Sequence, residues 1–410
     1  TTALNSDTAA GLSAATAHGF IFFRIVDMYV ALANLTNGGL SGGSRKYLEV
    51  LAPMLANHPA ISKLDLFVPP QTLEALHKST RLDWESWTHN DVARGFRGLR
   101  TELNKRRPDV VFVPSARWLD CGPSPVVAMV RNMEPLAVPF AGNPWLETLK
   151  TWARRWVAKR ACTKAARIIA VSNFVNDYLV QQWQLPQDKV ATVYHGIDLP
   201  GSDDDTQRPA SLRDLTRPFL FTAGSIRPYR GLEDAVGALP EVLRQCGDLT
   251  LVIGGETEAS MQPYRNRLVQ QAESLGCADR ILWCGKLSQS EMAWCFRQCQ
   301  AFVMTSRVEA CPNTVLEAMS HSCVSVSTDC PPMPEMYGSA ALYYPAGNSA
   351  QLASQLVAAM KLDIATRYHV QSAARRRAAE FSWQRTVEGT VRELQIACGQ
   401  VGTQGQRAAA

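Results

Sequence analysis

The chain has 410 residues, 46% apolar and 19% charged, with 42 Lys and Arg against 37 Asp and Glu for a formal net charge of +5. That is the balance of an ordinary globular protein, too long for one small core and suited to two domains. The charge excess is modest and no nucleic-acid recognition motif accompanies it, so a nucleic-acid partner is not expected.

In chain order, residues 1–19 are small and polar and are expected to be disordered. The apolar run Phe20–Ala33 is short for a membrane span, is interrupted by Arg24 and Asp27, and lacks the flanks of a signal peptide. It reads as the first buried strand. No segment reads as transmembrane, and eleven scattered cysteines without an export signal point to a reducing, cytoplasmic location. The segment Asn34–Arg45 follows, with Gly38, Gly39, Gly42 and Gly43. Such a loop lets backbone N–H groups approach a ligand closely. It is neither a G-x-G-x-x-G fingerprint nor a Walker loop, and a flexible glycine turn is the plainer alternative. Trp84, Trp87 and His89 are candidates to stack on an acceptor, with ordinary packing as the safer reading.

From Trp145 to Arg167 the chain carries Lys150, Arg154, Arg155, Lys159, Arg160, Lys164 and Arg167 against Glu147 alone. At helical spacing Trp145, Leu149, Trp152 and Trp156 share one face. Such a helix either lies on an anionic membrane or packs its tryptophans inward. Around Asp198–Arg217 the periodic pattern breaks, and a domain boundary is expected there. Strand-like and helix-like stretches alternate on both sides, which predicts α/β architecture with two doubly wound domains.

In Phe219–Gly231 an apolar strand ends at Ala223-Gly224, and Arg227 and Arg230 follow before a helix near Leu232. A guanidinium fork binds phosphate oxygens bidentately and keeps its charge. At ~4 Å and an effective dielectric near ~20, one such charge offers about 4 kcal/mol against a phosphate. Two surface arginines on a turn are the alternative. Cys295 and Cys299 have helical spacing and read as a packed face rather than a metal site.

The most informative stretch is Ser306–Val326. Glu309 and Glu317 are separated by seven residues, with a Cys311-Pro312-Asn313 turn between them and a helix expected from there. The first N–H groups of a helix lack internal partners and make an anion site. Both carboxylates then flank one phosphate-sized position. A phosphate between two hydroxyl-rich groups describes a nucleotide sugar. Thr314-x-x-Glu317 also fits a capping box, which would make Glu317 structural. Cys311 reads as filler, with no paired base.

The whole string resembles the signature of the retaining GT-B glycosyltransferases of family 4, and further features of that family occur in order over about residues 34–385. The resemblance implies a GT-B fold: two Rossmann-like domains facing across a cleft, here residues 20–200 and 201–381. A helix at 382–398 would cross back onto the first domain, and residues 1–19 and 399–410 would be disordered tails. It implies that the glycine loop, with Gly39 and Gly42, approaches the donor phosphates, and that Arg230 stands where the family has a lysine. The usual arginine position, after Gly224, is Ser225 here, and Arg227 takes that role. Glu317 would bind the ribose, Glu309 the transferred sugar, and Asn313 and Thr314 the diphosphate at the helix start. The turn at Lys286-Leu287 would hold the base. Ala170–Asn173, Tyr194–Asp198, Leu249–Gly255, Arg280–Lys286, Pro334-Glu335 and Ala340–Pro345 match further family elements. Many members carry a histidine at the end of an N-terminal strand; the corresponding stretch, Val138–Trp145, has none, and Asn143 is its nearest polar substitute.

The implied function is sugar transfer with retention from a UDP- or GDP-sugar to an acceptor hydroxyl, in polysaccharide or glycolipid biosynthesis. Glu309, Arg227 and Arg230 would be catalytic, with no cofactor or metal. The acceptor is expected to be a carbohydrate or a lipid-linked one, with peripheral contact at the inner membrane face through Trp145–Arg167. A catalytically silent nucleotide-sugar-binding or scaffolding subunit is the rival from another class. A phosphorylase or epimerase on the same fold is the rival in chemistry. A glycosidase fits less well, because its carboxylates must face each other across the scissile bond.

Overall fold

Among the described residues the strands pair in parallel, and most are short apolar runs buried on both faces, as helix-covered sheets require. The computed structural model describes residues 27–34, 42–68, 86–87, 96–118, 120–137, 145–201 and 206–399. The first sheet contains β1 (Met28–Ala33), β2 (Ile61–Phe67), β3 (Ser86–Trp87), β4 (Val110–Val113), β5 (Val126–Val130), β6 (Arg167–Ala170) and β7 (Val190–Thr192). Its order is β3-β2-β1-β4-β5-β6-β7. The second contains β8 (Phe219–Ala223), β9 (Thr250–Gly254), β10 (Ile281–Gly285), β11 (Ala301–Met304), β12 (Ser325–Thr328) and β13 (Leu342–Tyr344), in the order β10-β9-β8-β11-β12-β13. Each sheet starts in its middle, runs outward, then returns to the other side of its first strand. The direction reverses between β1 and β4 and again between β8 and β11. Such switch points leave a crevice at the carboxyl ends of the strands.

The expected two-sheet GT-B architecture is therefore present. The first strand is described only from Met28, and the segment Phe20–Asp27 lies almost wholly outside the described residues, as do nearly all of both expected tails. The expected final helix spans Trp383–Ala397, started by Ser382, whose hydroxyl accepts from Arg385 N–H. It returns to the first sheet and packs on β4, β5 and β6. Ile197 N–H donates to Phe381 O at 2.8 Å, and Thr386 Oγ1 to Tyr194 O at 2.9 Å. Gly196 makes this crossing possible: a Cβ there would stand 2.5 Å from the Trp383 backbone.

The basic helix spans Trp145–Lys164 and buries Thr151, Ala158, Ala161 and Cys162. Its small-residue face is the packed one. Trp145, Leu149, Trp152 and Trp156 are 75%, 59%, 61% and 59% exposed, so the inward-packing alternative is overturned.

The returning helix carries Glu393, whose carboxylate meets the Arg167 guanidinium at 2.6 Å, with side chains 3% and 6% exposed. Burial pushes the Glu393 carboxyl up, and Arg167 opposes it. Removing one member of such a pair leaves an uncompensated buried charge. Glu393→Gln is expected to destabilise the protein by about 3 kcal/mol in urea unfolding; a change below ~1 kcal/mol would mean that water already reaches Arg167.

Candidate functional site

At the second switch point the chain leaves β8 through Gly224, at φ +143, a conformation L side chains rarely adopt. Its N–H donates to Gly254 O at 2.9 Å. A Cβ at Gly224 would stand 2.8 Å from the Arg230 guanidinium carbon, so the glycine leaves room for that side chain. After an extended Arg227, a 3-10 turn (Pro228–Arg230) leads to Gly231 at φ +59 and then to the helix Leu232–Cys246. Just beyond the neighbouring strand β11, Thr305 Oγ1 donates to Arg230 O at 2.6 Å. The two loops that part at the switch point are thus fastened to each other. Gly224, Ser225, Arg230, Leu232, Thr305 and Ser306 line the small concavity between them.

The chain then passes through Glu309 to the signature helix Asn313–Ser320. Glu309 Oε1 lies 2.7 Å from Arg230 Nη1. Pro312 precedes the helix and makes no side-chain cap bond. The capping-box reading is overturned: Glu317 Oε1 instead takes Lys46 Nζ at 3.0 Å, across the cleft from the helix Gly42–Ala56. The start of the signature helix thus has N–H groups left uncapped by side chains, and it carries positive partial charge.

Arg227 does not point at this helix start with a free fork. Its guanidinium takes Glu134 at 3.0 Å, from the wall that carries the first sheet, and Glu258 at 2.6 Å. Ser225 Oγ lies 3.4 Å from Tyr229 Oη. Lys286 is exposed and Leu287 half-buried, just beyond β10, with Gly255 N–H donating to Gly285 O at 2.6 Å beneath them. Gly42 is the first residue of its helix, and Gly39 and Asn143 lie outside the described residues. Among the described residues, no group of three or more His, Cys, Asp or Glu is placed to hold a metal ion.

The sequence does not single out Lys46, Glu134 or Arg131, and it offers His195 only as the residue standing in place of the family's usual asparagine, with no catalytic role. The stretch Val138–Trp145, where the resemblance puts the histidine position, lies outside the described residues except for Trp145, and the strand before it, β5, ends at Val130. Arg131 is the first side chain beyond it, and its guanidinium lies over the Tyr47 ring at 4.6 Å. His195, from the linker after β7, holds the signature helix, with Nδ1 3.2 Å from Asn313 Oδ1. Burial and the Arg131 charge push the His195 imidazole down to about 3, so it serves as a neutral strut. The Cys311 thiol is buried and pushed up to about 12, which leaves it inert as a nucleophile.

Known proteins resemble this arrangement. Residues 50–200 match the family model described as Glycosyltransferase Family 4, and residues 203–377 that described as Glycosyl transferases group 1. The chain is 25% identical over 218 residues to the alpha-D-kanosaminyltransferase of Streptomyces kanamyceticus, covering 52% of this chain and 50% of that protein. It is 28% identical over 142 residues to the lipopolysaccharide core biosynthesis mannosyltransferase LpcC of Rhizobium leguminosarum bv. viciae, covering 33% and 39%. The chain thus spans about half or less of the length of these curated relatives. The crystal structure of Anabaena Alr3699/HepE in complex with UDP and glucose shares the fold, with a TM-score of 0.70 at 17% identity over 90% of this chain and 100% of that one.

The neutral His195 makes stability depend on pH. An unfolded histidine takes up its proton near pH ~6.5, whereas the folded one refuses it until about 3. The contribution of His195 is therefore intact above pH ~6.5 and is lost as pH falls below it, by up to about 1.4 kcal/mol per pH unit. Urea unfolding between pH 7.5 and 5 should show a shallower loss for His195→Gln than for wild type; equal slopes would refute the neutral, buried imidazole.

Proposed function

Because the chain belongs to the GT-B glycosyltransferases of family 4, we propose that its cleft binds a nucleoside diphosphate sugar and transfers the sugar, with retention, to an acceptor hydroxyl. One observation carries this reading: Arg230, Glu309, an uncapped helix start and Glu317 converge at the carboxyl ends of β8 and β11. Cations and helix N–H groups suit a diphosphate, and the carboxylates on either side of it suit hydroxyls. In this reading Glu317 accepts from the ribose hydroxyls and Glu309 from the sugar. Lys286-Leu287 and the strand ends hold the base.

Chemistry then needs little more than charge placement. As the glycosidic bond breaks toward an oxocarbenium-like state, negative charge grows on the departing phosphate. Arg230 and the N–H groups at Asn313 and Thr314 stabilise that charge more than they stabilise the bound donor. Attack from the same face, with the acceptor proton passing to the leaving phosphate oxygen, retains configuration and balances the transfer. Arg227 acts through closure in this scheme, since Glu134 and Glu258 hold it. A silent nucleotide-sugar-binding subunit is the second reading, favoured by Ser225 where the family has arginine. It keeps nucleotide binding and loses transfer, so a transfer assay separates the two.

The acceptor side faces the helix Trp145–Lys164 in this reading. Its exposed tryptophans, flanked by exposed Lys150 and Arg154, suit an anionic bilayer surface and a lipid-linked or carbohydrate acceptor of polysaccharide or glycolipid synthesis at the inner membrane face. Among the described residues, no helix is long and apolar enough to cross a membrane.

Isothermal titration with UDP and GDP is expected to show uptake of one of them by wild type, and Glu317→Ala is expected to lose both that nucleotide and its nucleoside by tenfold or more. Failure of folded wild type to bind either nucleotide would overturn the donor reading. Flotation with vesicles should recover wild type on anionic lipid and not on neutral lipid, and Trp152→Glu with Trp156→Glu should abolish recovery. Equal recovery on neutral lipid would remove the charge argument.

A further inference from the structure

The donor reading requires cations at the diphosphate, and the residues first assigned there do not all lie free for it. Arg227 is shared between Glu134 at 3.0 Å and Glu258 at 2.6 Å. Ser225, where the family's arginine is expected, is neutral. Arg230 remains, alongside Glu309 at 2.7 Å. Two phosphate groups set against Arg230 and a helix start would leave the cleft short of positive charge.

Lys46 is a further cation in reach, and it comes from the opposite wall. Its Nζ lies 3.0 Å from Glu317 Oε1, and the two side chains are only 23% and 20% exposed. The backbone of Lys46 is fixed by its neighbour. Tyr47 is fully buried, with its ring 5.1 Å from the His195 ring and 5.9 Å from that of Trp383. The helix Gly42–Ala56 cannot roll without drawing that ring out of the core, so Lys46 is held toward the signature helix. An ammonium has three donors, and Glu317 takes one of them.

We propose that Lys46 is a donor-site cation, aimed by Glu317 at the phosphates beside the start of helix Asn313–Ser320. The wall carrying β1 thereby supplies charge to a site built mainly on the wall carrying β8. Nucleotide uptake then draws the two walls together through one ion pair and one phosphate contact. This rests on reading the cleft as a nucleoside diphosphate-sugar site.

The test compares a nucleotide with its nucleoside, because only the nucleotide carries the phosphates. UDP is titrated into wild type, Lys46→Met and Lys46→Arg, and uridine is measured by competition; GDP and guanosine are run in parallel. In Lys46→Met, affinity for the nucleoside diphosphate should fall at least tenfold while nucleoside affinity stays within about twofold. Lys46→Arg should restore nucleotide affinity to within about threefold of wild type. Unchanged nucleotide affinity in Lys46→Met would make the pair a surface contact and overturn the inference. Equal loss of nucleotide and nucleoside would make Lys46 a support for Glu317 only, which also overturns it. Wild type that binds neither UDP nor GDP would refute the donor reading together with this one, whereas wild-type binding with an unchanged ratio refutes the role of Lys46 alone.

Discussion

Strands β8 and β11 lie side by side, but the chain runs away from them in opposite directions, and the site depends on that divergence. A parallel sheet sends every strand's carboxyl end to one edge, so the two loops open there with their backbone groups facing outward. Close approach is needed at two points, and glycine supplies both. Gly224 leaves space for the Arg230 guanidinium, and Gly231 lets the turn pass Thr305 O, where a Cβ would stand 2.5 Å away. Thr305 then ties the loops through the Arg230 carbonyl. The cation is placed by the backbone around it, and the reach of its side chain matters less.

Charges in poorly solvated places are paired. Arg230 with Glu309, Lys46 with Glu317, and Arg227 with Glu134 each keep a part-buried ion from standing alone. His195 solves the same problem by staying neutral. A protonated imidazole beside Arg131 would set two cations together out of water, so burial and repulsion act in the same direction. On the far side of the crossing, Glu335 accepts from the N–H groups of Asn173 and Phe174 at 2.6 and 3.0 Å and from Tyr194 Oη at 2.6 Å. A carboxylate at a helix start is favourable, and this one joins the two halves of the molecule. Lys46, Arg227 and Glu335 thus hold the halves together at three separate places, all polar.

Much of the site was legible because its signals are local. The end of β8 at Ala223-Gly224, the helix from Leu232, the turn at Pro312 and the helix from Asn313 all fell where apolar runs, glycines and a proline indicated. The direction in which the tryptophans of Trp145–Lys164 face was not legible. Periodicity places four apolar residues on one face without saying which face meets the core, and here Ala158, Ala161 and Cys162 packed closer to the sheet. The partner of Glu317 was not legible, for a related reason. A glutamate three residues after a threonine matches a cap in sequence, yet the helix began at Asn313, and a lysine 271 residues away offered a full charge.

By itself the sequence determined the elements, the parallel α/β class, the two glutamates, Arg230 and the helix start between them. Each of these rests on residues close together in the chain, where backbone conformation and hydrophobic period act. Only the tertiary structure decided which polar groups meet: Lys46 with Glu317, Arg227 with Glu134 and His195 with Asn313. Those pairs join helices and loops on opposite walls of the cleft, and their attraction weakens with distance in a solvated cleft. Until the first sheet, the second and the returning helix fix the walls of the cleft, nothing in the order of residues states that distance.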